Sequence, residues 1–195
     1  MKAREDALKP RIDYNVAPGA YKVMLGLETY VRQSGLEPSL LELVKLRASQ
    51  INGCAYCIDM HTKDTRAGGE TEQRLYALSA WRETPFYTDR ERAALAWTEA
   101  VTQVAEGHVP DEVYELARHH FTEKELVDLT LGIVAINGWN RLAISFRTVP
   151  GTYTPASLSR KAVACTVILL RWCRMQMKRG RWPGFKRELS ASNSA

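Results

Sequence analysis

Apolar residues recur at helical spacing through most of this chain, and no stretch alternates between apolar and polar residues as a half-buried strand would. The stretch from Leu40 to Ile51 is apolar around most of its circumference, which is typical of a buried helix. We therefore expect an all-α fold. The predicted helices cover residues 20–34, 39–52, 54–67, 71–81, 88–104, 111–120 and 122–145.

Cap and turn residues mark the ends of these helices. Asn52-Gly53 is a stop signal, and a new helix is expected to begin at or near Cys54. Thr88 with Glu91 and Thr122 with Glu125 have the Thr-x-x-Glu spacing of a capping box, in which each residue satisfies a backbone N–H at the start of a helix.

The chain divides into a body and a basic tail. It has 195 residues, 45% hydrophobic and 25% charged, enough for one domain with a substantial core. Residues 151–195 contain nine Lys or Arg and one acidic residue, a net charge of +8, whereas residues 1–150 contain 18 basic and 21 acidic residues, a net charge of −3. We predict a helical domain over 1–153 and a basic extension over 154–195 that is partly helical or disordered.

The charges and apolar runs argue against a nucleic-acid-binding protein and against a membrane-spanning one. The net negative body gives no electrostatic reason to expect a nucleic-acid partner, and the basic tail is more often a solvated segment than a binding surface. The longest apolar run, residues 162–170, is too short to span a membrane. Charged residues follow Met1 instead of an apolar signal segment, which predicts a cytoplasmic location.

The candidate chemistry lies around two of the four cysteines. Cys54 and Cys57 are three residues apart, His61 follows four residues later on the same helical face, and Glu42 precedes them on the neighbouring helix. In a reducing compartment a Cys-x-x-Cys pair more often does redox or metal chemistry than structural cross-linking. Cys165 and Cys173 fit no such pattern and are interpreted as small buried or idle residues.

The residues alone leave open which cysteine attacks a substrate. The start of a helix favours a thiolate at Cys54, whereas a base one turn away favours Cys57. Zinc is an alternative, with Cys54, Cys57, His61 and Glu42 as ligands, although structural zinc sites usually take four ligands from loops or hairpins.

The pattern Glu42-(eleven residues)-Cys54-x-x-Cys57-x-x-x-His61 resembles the core motif of the AhpD-like alkylhydroperoxidases, within the carboxymuconolactone decarboxylase family. The flanking residues 43–53 and 58–64, and residues 137–141, are similar to that family too, and the resemblance covers about residues 10–153. It implies an all-helical fold, homo-oligomers (trimers or hexamers), and thiol-dependent reduction of hydroperoxides.

Carried over residue by residue, the resemblance makes Cys57 the peroxidatic thiol and Cys54 the resolving thiol. It makes Glu42 and His61 the relay that removes the proton from Cys57. The founding alkylhydroperoxidases have a histidine just before the second cysteine, where this chain has Tyr56. The shorter relay predicts weaker activity or a different natural oxidant.

The implied cycle needs a hydroperoxide substrate and a dithiol reductant, either a protein or a small thiol, and no metal or organic cofactor. Cys57 becomes a sulfenic acid, Cys54 condenses with it to a disulfide, and the donor restores both thiols. Two alternatives remain: a decarboxylating lyase of the same family, whose members do not depend on the cysteine pair, and a redox-sensing oligomer with little turnover.

Overall fold

The computed structural model describes residues 9–155. These residues form eight α-helices and no strands, which confirms the predicted all-α class. Short 3₁₀ segments at Tyr14–Val16 and Leu78–Glu83 precede α1 and follow α4. The helices are α1 (Pro18–Gln33), α2 (Pro38–Asn52), α3 (Ala55–Ala67), α4 (Glu72–Ala77), α5 (Asp89–Thr102), α6 (Val104–Gly107), α7 (Asp111–His120) and α8 (Glu123–Phe146).

The sequence predicts a basic extension over residues 154–195, which includes Cys165 and Cys173. Apart from residues 154 and 155, this extension lies outside the described residues.

Helix α2 is the centre of the fold, and α3, α5 and α8 pack against it. Its apolar surface is divided between a cluster shared with α1, α5 and α8 and a second cluster shared with α4 and α5. The interpretation of residues 40–51 as a buried helix is confirmed, because α2 has eight buried residues: Leu40, Leu41, Leu43, Val44, Lys45, Leu46, Ala48 and Ser49.

The turn between α2 and α3 is only two residues long. Gly53 has a φ of 67°, the left-handed conformation that a glycine adopts without steric cost, and its N–H bonds back to the end of α2. Cys54 follows in extended conformation as the N-cap of α3. The predicted stop at Asn52-Gly53 is therefore confirmed, and it turns the chain directly into the helix that carries the second cysteine.

The predicted helix over residues 71–81 is wrong in its second half. Helix α4 ends at Ala77, and a 3₁₀ segment with a non-helical residue, Ala80, follows. Arg92 of α5 donates from Nη1 to the carbonyl oxygens of Trp81 and Thr84, each at 3.1 Å. These bonds hold the end of the 3₁₀ segment against α5.

At the end of α4 itself, Tyr87 Oη donates to the Arg74 carbonyl oxygen, which the Leu78 N–H would use in a continuing α-helix. The Leu78 N–H bonds to Leu75 instead, so the helix tightens to 3₁₀ there.

Buried polar groups join α8 to α2. Asn52 Nδ2 donates to Asn140 Oδ1 at 2.9 Å, and Asn140 Nδ2 donates to Ser49 Oγ at 3.1 Å. Asn140 is fully buried, so these bonds satisfy groups that would otherwise destabilise the fold. Over residues 9–155, no helix has the length and apolarity needed to cross a membrane.

Both predicted capping boxes are present, at Thr88 and at Thr122. At the start of α8, Glu125 accepts from the Thr122 N–H at 2.8 Å and from Arg90 at 2.7 Å. Arg90 also binds Glu37 at the start of α2, so it links three helices. The Thr122 N–H, followed by Arg90, lowers the pKa of Glu125 to about 2.

We expect Glu125→Ala to lower the free energy of unfolding near pH 7 by about 1 kcal/mol, the usual effect of losing a helix cap. The ion pair with Arg90 adds little, because Glu125 is one-third exposed to solvent. The carboxyl titrates near 4.5 in the unfolded chain and near 2 in the folded one. Its stabilisation is therefore complete above the unfolded pKa and is lost as the pH falls towards the folded value.

Urea unfolding followed by circular dichroism measures this loss. The difference between wild type and Glu125→Ala should shrink as the pH falls from 4.5 towards about 2. Glu123→Ala is the matched control, since Glu123 lies in the same first turn but is exposed and outside the capping box. An equal loss of stability in the control would contradict this account of Glu125.

Candidate active site

The two cysteines lie at the first turn of α3. Cys54 is the N-cap, and its N–H donates to the Ser49 carbonyl oxygen at 3.0 Å. Cys57 lies three residues later, and its N–H points to Cys54 Sγ at 3.4 Å. A disulfide joins the two sulfurs, and the Cα atoms are 5.4 Å apart. The Cys-x-x-Cys spacing thus brings the sulfurs together within one helical turn.

His61 and Glu42 form a hydrogen-bonded pair between α3 and α2. His61 Nδ1 is 2.8 Å from Glu42 Oε2, and the imidazole is buried. Its other nitrogen, Nε2, is buried and has no hydrogen-bond partner among the described residues. An ionised Glu42 accepts a hydrogen bond from Nδ1–H of His61, and in this tautomer the Nε2 lone pair is free to accept a proton.

Charges around Glu42 keep it ionised. Burial alone would raise its pKa, but the hydrogen bond from His61 and the charges of His61, Lys45 and Arg32 together lower the pKa below its usual 4.5. Lys45 is itself almost completely buried, with Nζ 2.7 Å from Glu28 Oε2 and 3.9 Å from Glu42 Oε1. The pairing compensates the burial of its charge.

A cavity of about 530 Å³ joins these groups. Of the two cysteines, both within the described part of the chain, only Cys57 contributes to its wall. The wall combines charged and polar groups with aromatic ones. The charged and polar groups are Glu28, Thr29, Arg32, Glu42, Lys45, His61, Asp64 and Thr148, and the aromatic groups are Tyr14, Tyr21, Tyr56, Trp139 and Tyr153.

Tyr56 takes the position that a histidine has in the founding alkylhydroperoxidases. Its ring lines the cavity, and burial raises the pKa of its phenol. The phenol therefore stays neutral near pH 7 and cannot act as a base there. The cavity accordingly has one histidine, His61, among its described lining residues.

Sequence reasoning missed the segment that follows α8. Tyr153 Oη donates to Asp64 Oδ1 at 2.6 Å, its carbonyl oxygen accepts from Lys63 at 3.1 Å, and the Gly151 N–H donates to Asp59 at 3.0 Å. These bonds attach the segment to α3 beside the cavity. Burial, followed by the hydrogen bond to Asp64, raises the pKa of Tyr153.

The sequence contains a signal for one missed residue, Asp64, but none for another, Tyr153. Asp64 follows His61 by three residues, so helical spacing alone places it on the same face. Tyr153 gives no local signal, because it reaches the site through a long-range contact. Lys45 and Glu28 were missed because their charges suggest solvent exposure, whereas Lys45 is among the buried residues of α2.

One group of side chains has the composition of a metal site. The ligand atoms of Glu42, His61 and Asp64 lie within 4.8 Å of one another. Glu42 already binds His61, and Asp64 already binds Tyr153. The alternative zinc site would also require two thiolates, which Cys54 and Cys57 cannot supply while they are joined in a disulfide.

The chain has clear relatives in sequence and structure. Residues 18–100 match the model of the carboxymuconolactone decarboxylase family. The uncharacterized protein YdfG of Bacillus subtilis is 49% identical over 132 residues, which are 68% of this chain and 90% of YdfG.

A crystal structure from Agrobacterium tumefaciens has the same level of identity. It belongs to a protein of unknown function that bears the provisional name antioxidant defence protein AhpD. The two are 49% identical with a TM-score of 0.72, over 74% of this chain and 100% of that chain. The described helices therefore have the AhpD-like fold.

The debrominase Bmp8 is a more distant structural neighbour. Its TM-score is 0.65 at 18% identity, over 71% of this chain and 74% of that chain. Identity at this level shows a shared fold and nothing about the reaction.

We expect Tyr153→Phe to lower the free energy of unfolding by about 1.5–3 kcal/mol, because it removes a hydrogen bond to a charged group in a half-buried position. Tyr76→Phe is the matched control. Its hydroxyl also donates to a carboxylate, Glu72, but on the exposed surface of α4, so its effect should stay within about 0.5 kcal/mol.

Thermal denaturation measures both variants, and hydrogen exchange of residues 148–155 reports the attachment of the segment. Exchange in this segment should become faster in Tyr153→Phe alone. Unchanged exchange in that variant would mean that the bond to Asp64 does not hold the segment on α3.

Proposed function

Because this chain belongs to the carboxymuconolactone decarboxylase family, we propose that it is a thiol-dependent peroxidase of the AhpD type. One observation carries the proposal: Cys57, disulfide-bonded to Cys54, lines the same cavity as an imidazole that is hydrogen-bonded to a carboxylate. The 49% identity to the Agrobacterium protein with an antioxidant name agrees with it.

The His61–Glu42 pair acts as the proton relay. In the reduced protein, Nε2 of His61 accepts the proton of the Cys57 thiol, directly or through a water molecule in the cavity. Glu42 holds the ring in the required tautomer and stabilises the imidazolium that forms. The lowered pKa of Glu42 supports this role, because its carboxylate stays ionised at every pH at which the thiol chemistry is useful.

The oxidative half of the cycle transfers two electrons from the cysteines to the peroxide. The Cys57 thiolate attacks one peroxide oxygen, the O–O bond breaks, and the alkoxide takes the proton from His61 to leave as an alcohol. Cys57 is then a sulfenic acid. Cys54 attacks its sulfur, water leaves, and the disulfide forms. A dithiol donor returns the two electrons by thiol–disulfide exchange.

The cavity is suited to a hydroperoxide with an organic body. A volume of about 530 Å³ is far larger than hydrogen peroxide requires, and five aromatic side chains supply apolar wall. The position of Tyr56 in that wall gives it a role in binding instead of proton transfer. Assembly into a trimer or hexamer stays a prediction from the family resemblance.

The first test separates the roles of the cysteines. Reduced Cys57→Ser should lose all reaction with hydrogen peroxide and cumene hydroperoxide, because it lacks the attacking sulfur. Cys54→Ser should be oxidised once and stop at a sulfenic acid, which dimedone traps at Cys57. Stopped-flow tryptophan fluorescence follows the oxidation, since Trp139 lines the cavity.

Cys165→Ser is the control, because it removes a thiol outside the Cys-x-x-Cys pair. Its oxidation by peroxide should match that of wild type. Circular dichroism shows whether each variant stays folded. Peroxide consumption by folded Cys57→Ser at the wild-type rate would overturn the proposal.

The second test concerns the relay. Glu42→Gln should lower the rate of oxidation by peroxide by about 10²-fold, the lower end of general acid–base contributions. Because the carboxylate is lost only as the pH falls through a pKa below 4.5, the defect should be constant from neutral pH down to that value and shrink beneath it. Stopped-flow rates across this pH range measure the effect.

Glu37→Gln is the matched control. Glu37 is the N-cap residue of the same helix, without a side-chain cap hydrogen bond, and its pKa is also lowered, here by Arg90, but it lies outside the cavity wall. Its rate should equal that of wild type. An equal loss in both variants would assign the effect to helix α2 as a whole and not to the relay.

A further inference from the structure

The two sulfurs of the disulfide face different surroundings. Cys54 is 1% exposed and Cys57 is 2% exposed, so bulk solvent reaches neither. Cys57 nevertheless forms part of the wall of the 530 Å³ cavity, and Cys54 does not. A molecule that enters the cavity therefore meets the Cys57 side of the bond first.

Cys54 lies behind Cys57, in the turn between α2 and α3. Its N–H is taken by Ser49, its carbonyl oxygen accepts from the Ile58 N–H, and its sulfur accepts from the Cys57 N–H. Both cysteines belong to one cluster of buried apolar residues with Ala48 and Ile136, so the two sulfurs differ in their contact with the cavity and not in burial. The sulfur of Cys54 is thus held at the N-terminus of α3, where backbone N–H groups stabilise negative charge.

Thiol–disulfide exchange places strict demands on such a bond. The attacking thiolate approaches one sulfur in line with the S–S bond, and the other sulfur leaves as a thiolate. The rate rises when the leaving thiolate is stabilised. The cavity leads to Cys57, and Cys54 lies at a helix N-terminus, so the arrangement favours attack on Cys57 with Cys54 as the leaving sulfur.

We propose that the cavity admits the thiol reductant and that the reductant attacks Sγ of Cys57, with Cys54 as the leaving thiolate. The inference deepens the proposed peroxidase function, on which it rests for the need to reopen the disulfide. It assigns the polarity of the reductive half-cycle, in which Cys57 carries the mixed disulfide just as it carries the sulfenic acid in the oxidative half.

The steps balance with a dithiol donor. One donor thiol gives its proton to Nε2 of His61, which is buried and unpartnered among the described residues. The donor thiolate bonds to Cys57 Sγ, the S–S bond breaks, and its electron pair goes to Cys54 Sγ. His61 passes its proton to the Cys54 thiolate. The second donor thiol then attacks the donor sulfur bonded to Cys57, and its proton goes to the Cys57 thiolate that leaves. The donor becomes a disulfide, and the protein gains two electrons and two protons.

The test uses oxidised wild-type protein and 2-mercaptoethanol. This small monothiol forms the mixed disulfide but has no second thiol with which to release it. After short reaction times, acid quenches the exchange and N-ethylmaleimide blocks the freed thiol. Tandem mass spectrometry then locates the two labels. We expect mercaptoethanol on Cys57 and maleimide on Cys54 in roughly tenfold excess over the reverse pattern. An excess of the reverse pattern, or equal amounts of both, would overturn the inference.

In a second measurement the label cannot migrate between the two cysteines, because each variant keeps only one of them. In a background with Cys165 and Cys173 replaced by serine, reduced Cys54→Ser and Cys57→Ser each keep one site thiol. Dithionitrobenzoate should react roughly tenfold faster with Cys57 in the first variant than with Cys54 in the second. Faster reaction of Cys54 would contradict the assignment.

Neither measurement contains peroxide, so the two proposals can fail separately. Labelling of Cys57 in a protein that does not consume hydroperoxides supports the inference and rejects the peroxidase function. Hydroperoxide turnover together with labelling of Cys54 supports the function and rejects the inference.

Discussion

The hydrogen bond between Glu42 and His61 joins the central helix to the helix that carries both cysteines, and the site depends on it. Helix α2 is buried over most of its surface, and the Glu42 side chain is 26% exposed. A carboxylate that loses most of its solvent needs compensation. The imidazole supplies it directly, and the opposite nitrogen of His61 is buried and has no partner within residues 9–155.

The neighbouring charges extend this logic. Lys45 is buried with Glu28 as its close partner and Glu42 within 3.9 Å. Buried ion pairs of this kind contribute little net stability, but removal of one partner is strongly destabilising. The charge of Lys45 helps to lower the pKa of Glu42, and the proposed relay requires that carboxylate to be ionised.

The short turn at Gly53 and Cys54 decides the geometry of the cysteine pair. Because the turn has only two residues, α3 begins immediately beneath the end of α2 and packs against it and α8. Cys54 is thereby enclosed, whereas Cys57, one turn further, reaches the cavity. The structure separates two chemically identical residues by their surroundings, and this difference supports their separate roles in both halves of the proposed cycle.

The sequence by itself determined the class of the fold, most helix limits, both capping boxes and the group of Glu42, Cys54, Cys57 and His61. These features follow from local rules: helical periodicity, cap chemistry and spacing within or between adjacent helices. Only the tertiary structure decided that helix α4 stops at Ala77, that Lys45 is buried, that Tyr153 binds Asp64 beside the cavity and that Cys57 faces the cavity while Cys54 does not. Each of these depends on groups far apart in the chain, and such contacts are set by packing and by the satisfaction of buried polar groups, which no local pattern records.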